Sequence, residues 1–273
     1  MRRVGVGIQI TVLGSGSAGN CALVETGTTR VLVDAGLSAR QIAQRLAAVG
    51  RQMTDIHGIL LTHEHTDHIR ALGVLCKANG CAVYANRLTA EAVAENPDWN
   101  GKVRISWRLF TTGQSFEIGD LLVEPFSVPH DAFDPVGFVI RNHTHSVGLV
   151  TDLGHATKLV IERLKATDVV VIEANHDLKL LQEDSSRPWA LKQRIMSRHG
   201  HLSNEAAATL AGELASERLQ HVLLAHLSRD CNRPELARDT VGRKLRQMGA
   251  SHVTVTVSSQ NIPTATISVN GKA

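Results

Sequence analysis

Aromatic side chains make up only 3% of this sequence. Its core must therefore be aliphatic, built from Val, Leu, Ile and Ala. Cysteine is sparse as well. Cys21, Cys76, Cys81 and Cys231 form no CxxC pair and no disulfide ladder, which points to a reduced, cytosolic chain. No apolar run approaches the roughly 18 residues of a membrane span. Met1–Ile10 lacks an apolar region of adequate length and a small-residue cleavage site, so no secretion signal is read there. The expectation is a cytoplasmic protein with no membrane partner. A strong charge of one sign is missing too: a net +3 permits contact with polyanions without requiring it. Repeats, low-complexity tracts and linkers are absent. Over 273 residues, 43% apolar and 20% charged, this describes one layered α/β domain spanning residues 1–273, large enough for a substantial core.

What the chain does have is Thr62-His63-Glu64-His65-Thr66-Asp67-His68. Four residues with metal-ligand side chains, His63, His65, Asp67 and His68, crowd into this stretch. They follow Ile56–Leu61, a short apolar run that reads as a buried strand, with a helix beginning near Ile69–Leu72 and running to about Asn79. His63 and His65 are two apart, so on an extended backbone they point the same way and can share one ion. Asp67 and His68 follow as the chain turns and can reach a second. Imidazole and carboxylate together suit Zn, Mn, Fe or Co without choosing among them.

Strands are expected at Ile8–Leu13, Cys21–Glu25 and Arg30–Val33. Gly14–Asn20 lies between the first two, either a turn beside the metals, a phosphate contact or a plain hairpin loop; it lacks the Lys-Ser/Thr ending of a P-loop. Asp34, at a strand end, could orient a metal-binding His from behind. Ser38 reads as the N-cap of a helix with Ile42, Leu46 and Val49 on one face and Gly50 after it. Further strands are expected at Cys81–Tyr84, Val103–Ser106, Ser115–Ile118 and Leu121–Phe126, with a helix over Leu88–Glu95 and a break at Pro97–Gly101. His130 stands just past a strand, as His65 does, and reads as a ligand. Val136–Ile140 and His145–Val150 form a hairpin ending at Asp152, a natural bridging carboxylate. Val169–Ile172 is a strand ending at Glu173-Ala174-Asn175-His176, where support behind the metals and substrate contact both stay open. Arg187, Lys192, Arg194 and Arg198 occur with no acidic residue from 187 to 201: a solvated helix face or a phosphate track. Ser203 caps a helix over Asn204–Ala215, Val222–Ala225 is a strand with His226 at its end, and Pro234 starts a last helix. Val253–Val257 and Thr264–Val269 close the chain as strands.

The series His63-x-His65-x-Asp67-His68, His130, Asp152, His226 resembles the di-metal hydrolases of the metallo-β-lactamase superfamily, over essentially the whole chain. The resemblance implies an αβ/βα sandwich, two mixed sheets flanked by helices, with two divalent metal ions (Zn or Mn) at one edge. His63, His65 and His130 would hold one ion, Asp67, His68 and His226 the other, and Asp152 would bridge. Gly14–Cys21, Val33–Ser38, Pro129–Phe138, Glu173–Asp177, Gly200–Asn204 and Ala225–Ser228 look like the YycJ/WalJ branch, associated with 5′-to-3′ exonuclease action on DNA. The span from Asp152 to His226 leaves no room for a β-CASP insertion. His201 resembles the extra His of tRNA 3′-end-processing relatives.

The implied reaction is phosphodiester hydrolysis by a hydroxide generated between two cations. Asp67 would orient the nucleophile and His201 would act as general acid. Asp34, Glu173, His176, Arg198 and Ser228 are the candidates for support of the ligands or contact with substrate. DNA is a more natural partner than RNA, and Phe133 and Trp189 are the aromatics available near the site. Two other readings stand beside this one: a hydrolase of a cyclic phosphodiester, lactone or thioester, and a non-enzymatic, metal-bound regulatory protein.

Overall fold

Alternation decides the architecture. Val169–Glu173 is buried throughout, with Val169 and Val171 on one face and Val170 and Ile172 on the other. A strand apolar on both sides has to be covered on both. In this computed structural model, which describes residues 7–96 and 104–269, one side is covered by a second sheet and the other by helices.

The strands are β1 (Ile8–Gly14), β2 (Cys21–Glu25), β3 (Arg30–Val33), β4 (Gly58–Leu60), β5 (Ala82–Asn86), β6 (Ser106–Phe110), β7 (Phe116–Ile118), β8 (Leu121–Ser127), β9 (Val136–Arg141), β10 (Ser146–Val150), β11 (Val169–Glu173), β12 (His221–Ala225), β13 (Thr254–Val257) and β14 (Ile267–Val269). One sheet has the order β14-β1-β2-β3-β4-β5-β6, the other β13-β12-β11-β10-β9-β8-β7. Both are mixed. β3 to β6 run parallel, as do β10 to β13, and the remaining neighbours are antiparallel.

The helices are α1 (Ala39–Ala48), α2 (Thr66–Ile69), α3 (Leu72–Asn79), α4 (Arg87–Ala94), α5 (Lys158–Leu164), α6 (Leu178–Glu183), α7 (Trp189–Ile195), α8 (Asn204–Leu214) and α9 (Pro234–Gln247). Three aliphatic cores bind the layers. Val12, Val31, Phe138 and Val171 belong to the core between the sheets. Leu23, Leu32 and Ile59 pack outward against Ile42 and Leu46 of α1 and Leu72 and Leu75 of α3. Val170, Ile172 and Leu224 pack outward against α5, α8 and α9. Each fully buried aliphatic side chain contributes about 1.5–3 kcal/mol, so the shortage of aromatics is no obstacle. The αβ/βα sandwich of the sequence expectation is the fold observed. No helix among the described residues is long and apolar enough to cross a membrane.

The helix expected from near Ile69–Leu72 to about Asn79 is α3, while the short α2 that carries Asp67 and His68 was not expected, and the chain breaks between the two after Ile69. The break is tertiary in origin, because Ala71 N–H donates to the carbonyl of Ala35 while Ala35 N–H donates to that of His68. The strand expected at Val103–Ser106 lies further on, at Ser106–Phe110, where it pairs in parallel with β5. Val103, like the expected break at Pro97–Gly101, falls outside the described residues. The strand expected from Thr264 begins only at Ile267. Helices α5 and α6 were not read from the sequence, although Thr157 and Asp177 cap them.

Candidate metal centre

The candidate ligands sit where strands end at one rim of the sandwich. His63 and His65 follow β4, Asp67 and His68 lie within α2, His130 follows β8, Asp152 follows β10 and His226 follows β12. Three residues at this rim adopt the left-handed backbone without being glycine: Asp34 (φ 62°), Asp152 (φ 56°) and His226 (φ 57°). Such conformations cost roughly 1–3 kcal/mol each and persist where the surrounding fold over-determines them.

The seven side chains come together. One ligand atom each from His63, His65 and His130 lies within 4.8 Å of the others, and the same holds for Asp67, His68 and His226 and for His63, His68 and Asp152. Asp152 stands between the groups, with Oδ2 3.1 Å from His68 Nε2 and Oδ1 3.8 Å from His130 Nε2. Asp67 Oδ2 is 3.4 Å from His226 Nε2.

The support behind these rings aims their lone pairs inward. His68 Nδ1 donates to Asp34 Oδ2 (2.8 Å), His130 Nδ1 to the Gly200 carbonyl (3.2 Å) and His226 Nδ1 to Glu173 Oε1 (2.7 Å). The Asp34 carboxylate also accepts from Thr62 Oγ1, which meets His63 Nδ1 at 3.0 Å. In each case the outward nitrogen carries the proton and Nε2 is left as a ligand. His63 Nε2, His226 Nε2 and Asp152 Oδ2 are buried with no hydrogen-bond partner. Unmatched buried polar atoms are costly, and here they converge.

Charge tells the same story. Burial opposes ionisation of Asp67 and Asp152, yet His68 and His226 hold Asp67 well below the usual carboxylate range, and the same two rings do so for Asp152. Burial would lower His68 and His226 in turn, but the surrounding carboxylates, Asp152 foremost, keep both well above the ordinary imidazole value. His63 and His130 are pushed down, first by burial. The centre thus gathers buried carboxylates that require positive charge, beside neutral imidazoles with inward lone pairs. Divalent cations meet both demands, and the donor set fits them.

A cavity of about 350 Å³ opens against this centre, lined by His65, Asp67, His130, Asp152, His201 and His226 among others. His201 is tied through Nδ1 to Glu173 Oε1 at 2.9 Å, which leaves its other nitrogen for the cavity. Burial works against its proton, but the Glu173 charge and hydrogen bond raise it above its ordinary value. Glu173 itself is held down to about 2, against burial, by His201 and His226. Two backbone N–H groups, of Leu153 and Leu202, also donate to Glu173 Oε2. His176 and Ser228 line the cavity. Arg198 does not: its guanidinium lies 3.4 Å from His155 Nε2, on an exposed face.

The profile of the Beta-lactamase superfamily domain matches residues 29–226. The chain is 40% identical over 243 residues to Exodeoxyribonuclease WalJ of Streptococcus pneumoniae serotype 2 (strain D39 / NCTC 7466), covering 89% of this chain and 90% of that one. The chain belongs to the metallo-β-lactamase superfamily, in its YycJ/WalJ-like branch. Exodeoxyribonuclease YycJ of Bacillus anthracis is 37% identical over 245 residues, with 89% and 91% covered. Among solved structures, the metallo-β-lactamase fold protein YhfI from Bacillus subtilis superposes with a TM-score of 0.71 at 17% identity, covering 95% of this chain and 99% of that one. That likeness speaks to the fold alone.

Within this family centre, three supporting residues escaped the sequence reading. Asn20 places Nδ2 3.2 Å from Asp67 Oδ2 and 3.1 Å from His68 Nε2, so the Gly14–Asn20 loop abuts the centre. In the same loop, Ser15 Oγ accepts from the His226 N–H. Thr62 links Asp34 to His63. Thr62 was detectable only as the residue that begins the His-rich motif. The basic stretch also resolves into separate parts. Arg187 pairs with Asp184 and Asp230, Arg194 pairs with Asp131, and Lys192 is buried, donating to the Gln182 carbonyl.

Proposed function

We propose that this chain is a metal-dependent phosphodiesterase that removes nucleotides from DNA in the 5′-to-3′ direction, working in the cytoplasm with two divalent cations, Zn or Mn. One observation carries the reading: His201, hydrogen-bonded to Glu173, shares a cavity with five of the seven converging ligand side chains, His65, Asp67, His130, Asp152 and His226. The two exodeoxyribonucleases to which the chain is 40% and 37% identical support DNA as the substrate.

His63, His65 and His130 would hold one cation, Asp67, His68 and His226 the other, with Asp152 between them. Bound there, the pair would acidify a water and neutralise charge on the non-bridging phosphoryl oxygens. The protein supplies the rest. Asp67 accepts a hydrogen bond from the attacking water and so aims it at phosphorus. As the bond from phosphorus to the departing sugar oxygen breaks, His201 gives that oxygen its proton, since an alkoxide leaves poorly. A placed acid of this kind is worth about 10²–10⁴-fold. Glu173 keeps the proton on His201 until it is needed and fixes the ring's direction.

The test is digestion of DNA labelled at the 5′ or the 3′ end, with Zn and Mn each supplied, beside bis-p-nitrophenyl phosphate and a thioester. Release of mononucleotide from the 5′ end is the expected result. Turnover of the small esters with intact DNA would replace this reading by that of a small-molecule hydrolase.

A further inference from the structure

His176 is 1% exposed, and neither of its ring nitrogens has a hydrogen-bond partner. It nonetheless lines the cavity shared with the candidate metal centre. Its backbone is fixed from both sides. The carbonyl accepts from Asn204 N–H, the residue bridges to Ser203, and neighbouring Asp177 donates its N–H to Cys231 and caps α6. The backbone of His176 is thus fixed by main-chain bonds, while both ring nitrogens are buried without a partner beside the cavity. Leu181 of α6 and Leu191 and Ile195 of α7 line the same cavity, together with the salt-bridged Arg187 and Arg194.

A cavity of about 350 Å³ lies at the small end of ligand pockets and suits one nucleotide rather than a duplex. Building on the exonuclease reading, we propose that His176 and the apolar wall of Leu181, Leu191 and Ile195 seat the terminal nucleoside of the strand. His176 would hydrogen-bond the edge of that nucleoside's base, because the sugar oxygens of a strand end are esterified. Burial pushes the imidazole down to about 4. At neutral pH it offers one N–H and one lone pair, which match a neutral donor–acceptor edge better than a phosphate. The cationic side chains at this cavity do not compete for that role, because Arg187 and Arg194 are engaged by Asp184, Asp230 and Asp131. His176 is on this view a specificity residue, separate from the groups that move protons.

The test compares the metal-loaded wild type with His176→Ala and His176→Gln. One arm measures KM and kcat on 5′-labelled single-stranded DNA. The other measures calorimetric binding of two product fragments, dAMP and deoxyribose 5-phosphate. The expected result for His176→Ala is a KM raised about tenfold, kcat within about twofold, and dAMP bound about tenfold more weakly, with His176→Gln recovering most of each. Weakening on dAMP alone supports the base contact; equal weakening on both fragments would place the contact on the sugar phosphate and overturn it. A ring that only supports the fold would lower the melting temperature and leave the KM-to-kcat split and fragment affinities unmoved, and that result overturns the proposal. A wild type that releases no mononucleotide refutes the exonuclease reading itself, a failure distinct from unchanged kinetics in His176→Ala.

Discussion

Glu173 Oε1 lies 2.9 Å from Nδ1 of His201, and this contact sets both the direction and the charge of that ring. Burial alone would strip the imidazole of its proton; the carboxylate reverses the balance. Glu173→Gln keeps the shape and removes the charge, so His201 would lose its proton at a lower pH. The expected outcome is a kcat on DNA reduced by about 10²-fold at neutral pH, within the range for a misplaced general acid. The alkaline limb of the kcat–pH profile would move toward acid, because the protonated form is the active one. A limb that stays in place while the rate falls would separate Glu173 from proton delivery.

Asp34 makes the corresponding contact with His68, at 2.8 Å, and also accepts from Thr62. In Asp34→Asn an amide can present its N–H₂ to the same ring nitrogen. His68 would then shift its proton to Nε2, and the ligand lone pair would be lost. Supporting partners of this kind are worth about 10–100-fold in metal affinity. Competition against a chelator, followed by metal analysis, should show that loss in the variant. Unchanged retention of metal would mean that Asp34 does no more than hold Thr62.

Much of this centre was legible because its information is local. His63, His65, Asp67 and His68 occupy one stretch, and each remaining candidate stands just past a run of apolar residues that reads as a strand. What escaped is information carried by distant backbone. The gap between α2 and α3 exists because Ala35 and Ala71 bond across the chain, and the apolar residues after His68 give no hint of it. The basic stretch stayed open for a related reason. A count of Arg and Lys carries no direction, and α7 sends Lys192 inward while Arg194 turns to Asp131. Glu173 could be seen at a strand end, but its two partners, His201 and His226, are distant in sequence and near only in the fold.

A second cavity of about 500 Å³ shares Ser17 and Arg187 with the first and is lined further on by Arg229 and Gln260. Arg187 is paired there with Asp184 and Asp230, whereas Arg229 is exposed on the rim. A strand leaving the centre along this surface would pass its phosphates over Arg229. Arg229→Ala is expected to weaken binding of single-stranded DNA irrespective of sequence. It should reduce the slope of log K against log salt by about one, the signature of a lost phosphate contact. Fluorescence anisotropy at several salt concentrations measures this directly. An unaltered slope would route the strand elsewhere.

Gly36 tests how tightly the ligand helix is locked to the sheet. A Cβ added there would lie 1.5 Å from the Asp67 carbonyl oxygen, 2.2 Å from its carbon and 2.8 Å from Asn20 N. These are backbone atoms and cannot rotate aside, so α2 would have to move with Asp67 and His68 on it. Overpacking typically costs about 1–3 kcal/mol, and this contact belongs at the upper end or beyond. Gly36→Ala should therefore lower the melting temperature and lose metal together. Gly50→Ala is the control: its φ of 72° strains an alanine, but nothing lies within 4 Å of the added carbon. It should cost about 1–2 kcal/mol from the backbone alone and keep its metal. If Gly36→Ala retained metal and melted no lower than Gly50→Ala, the close approach of the Asp67 carbonyl to Gly36 would not be what fixes the ligand helix.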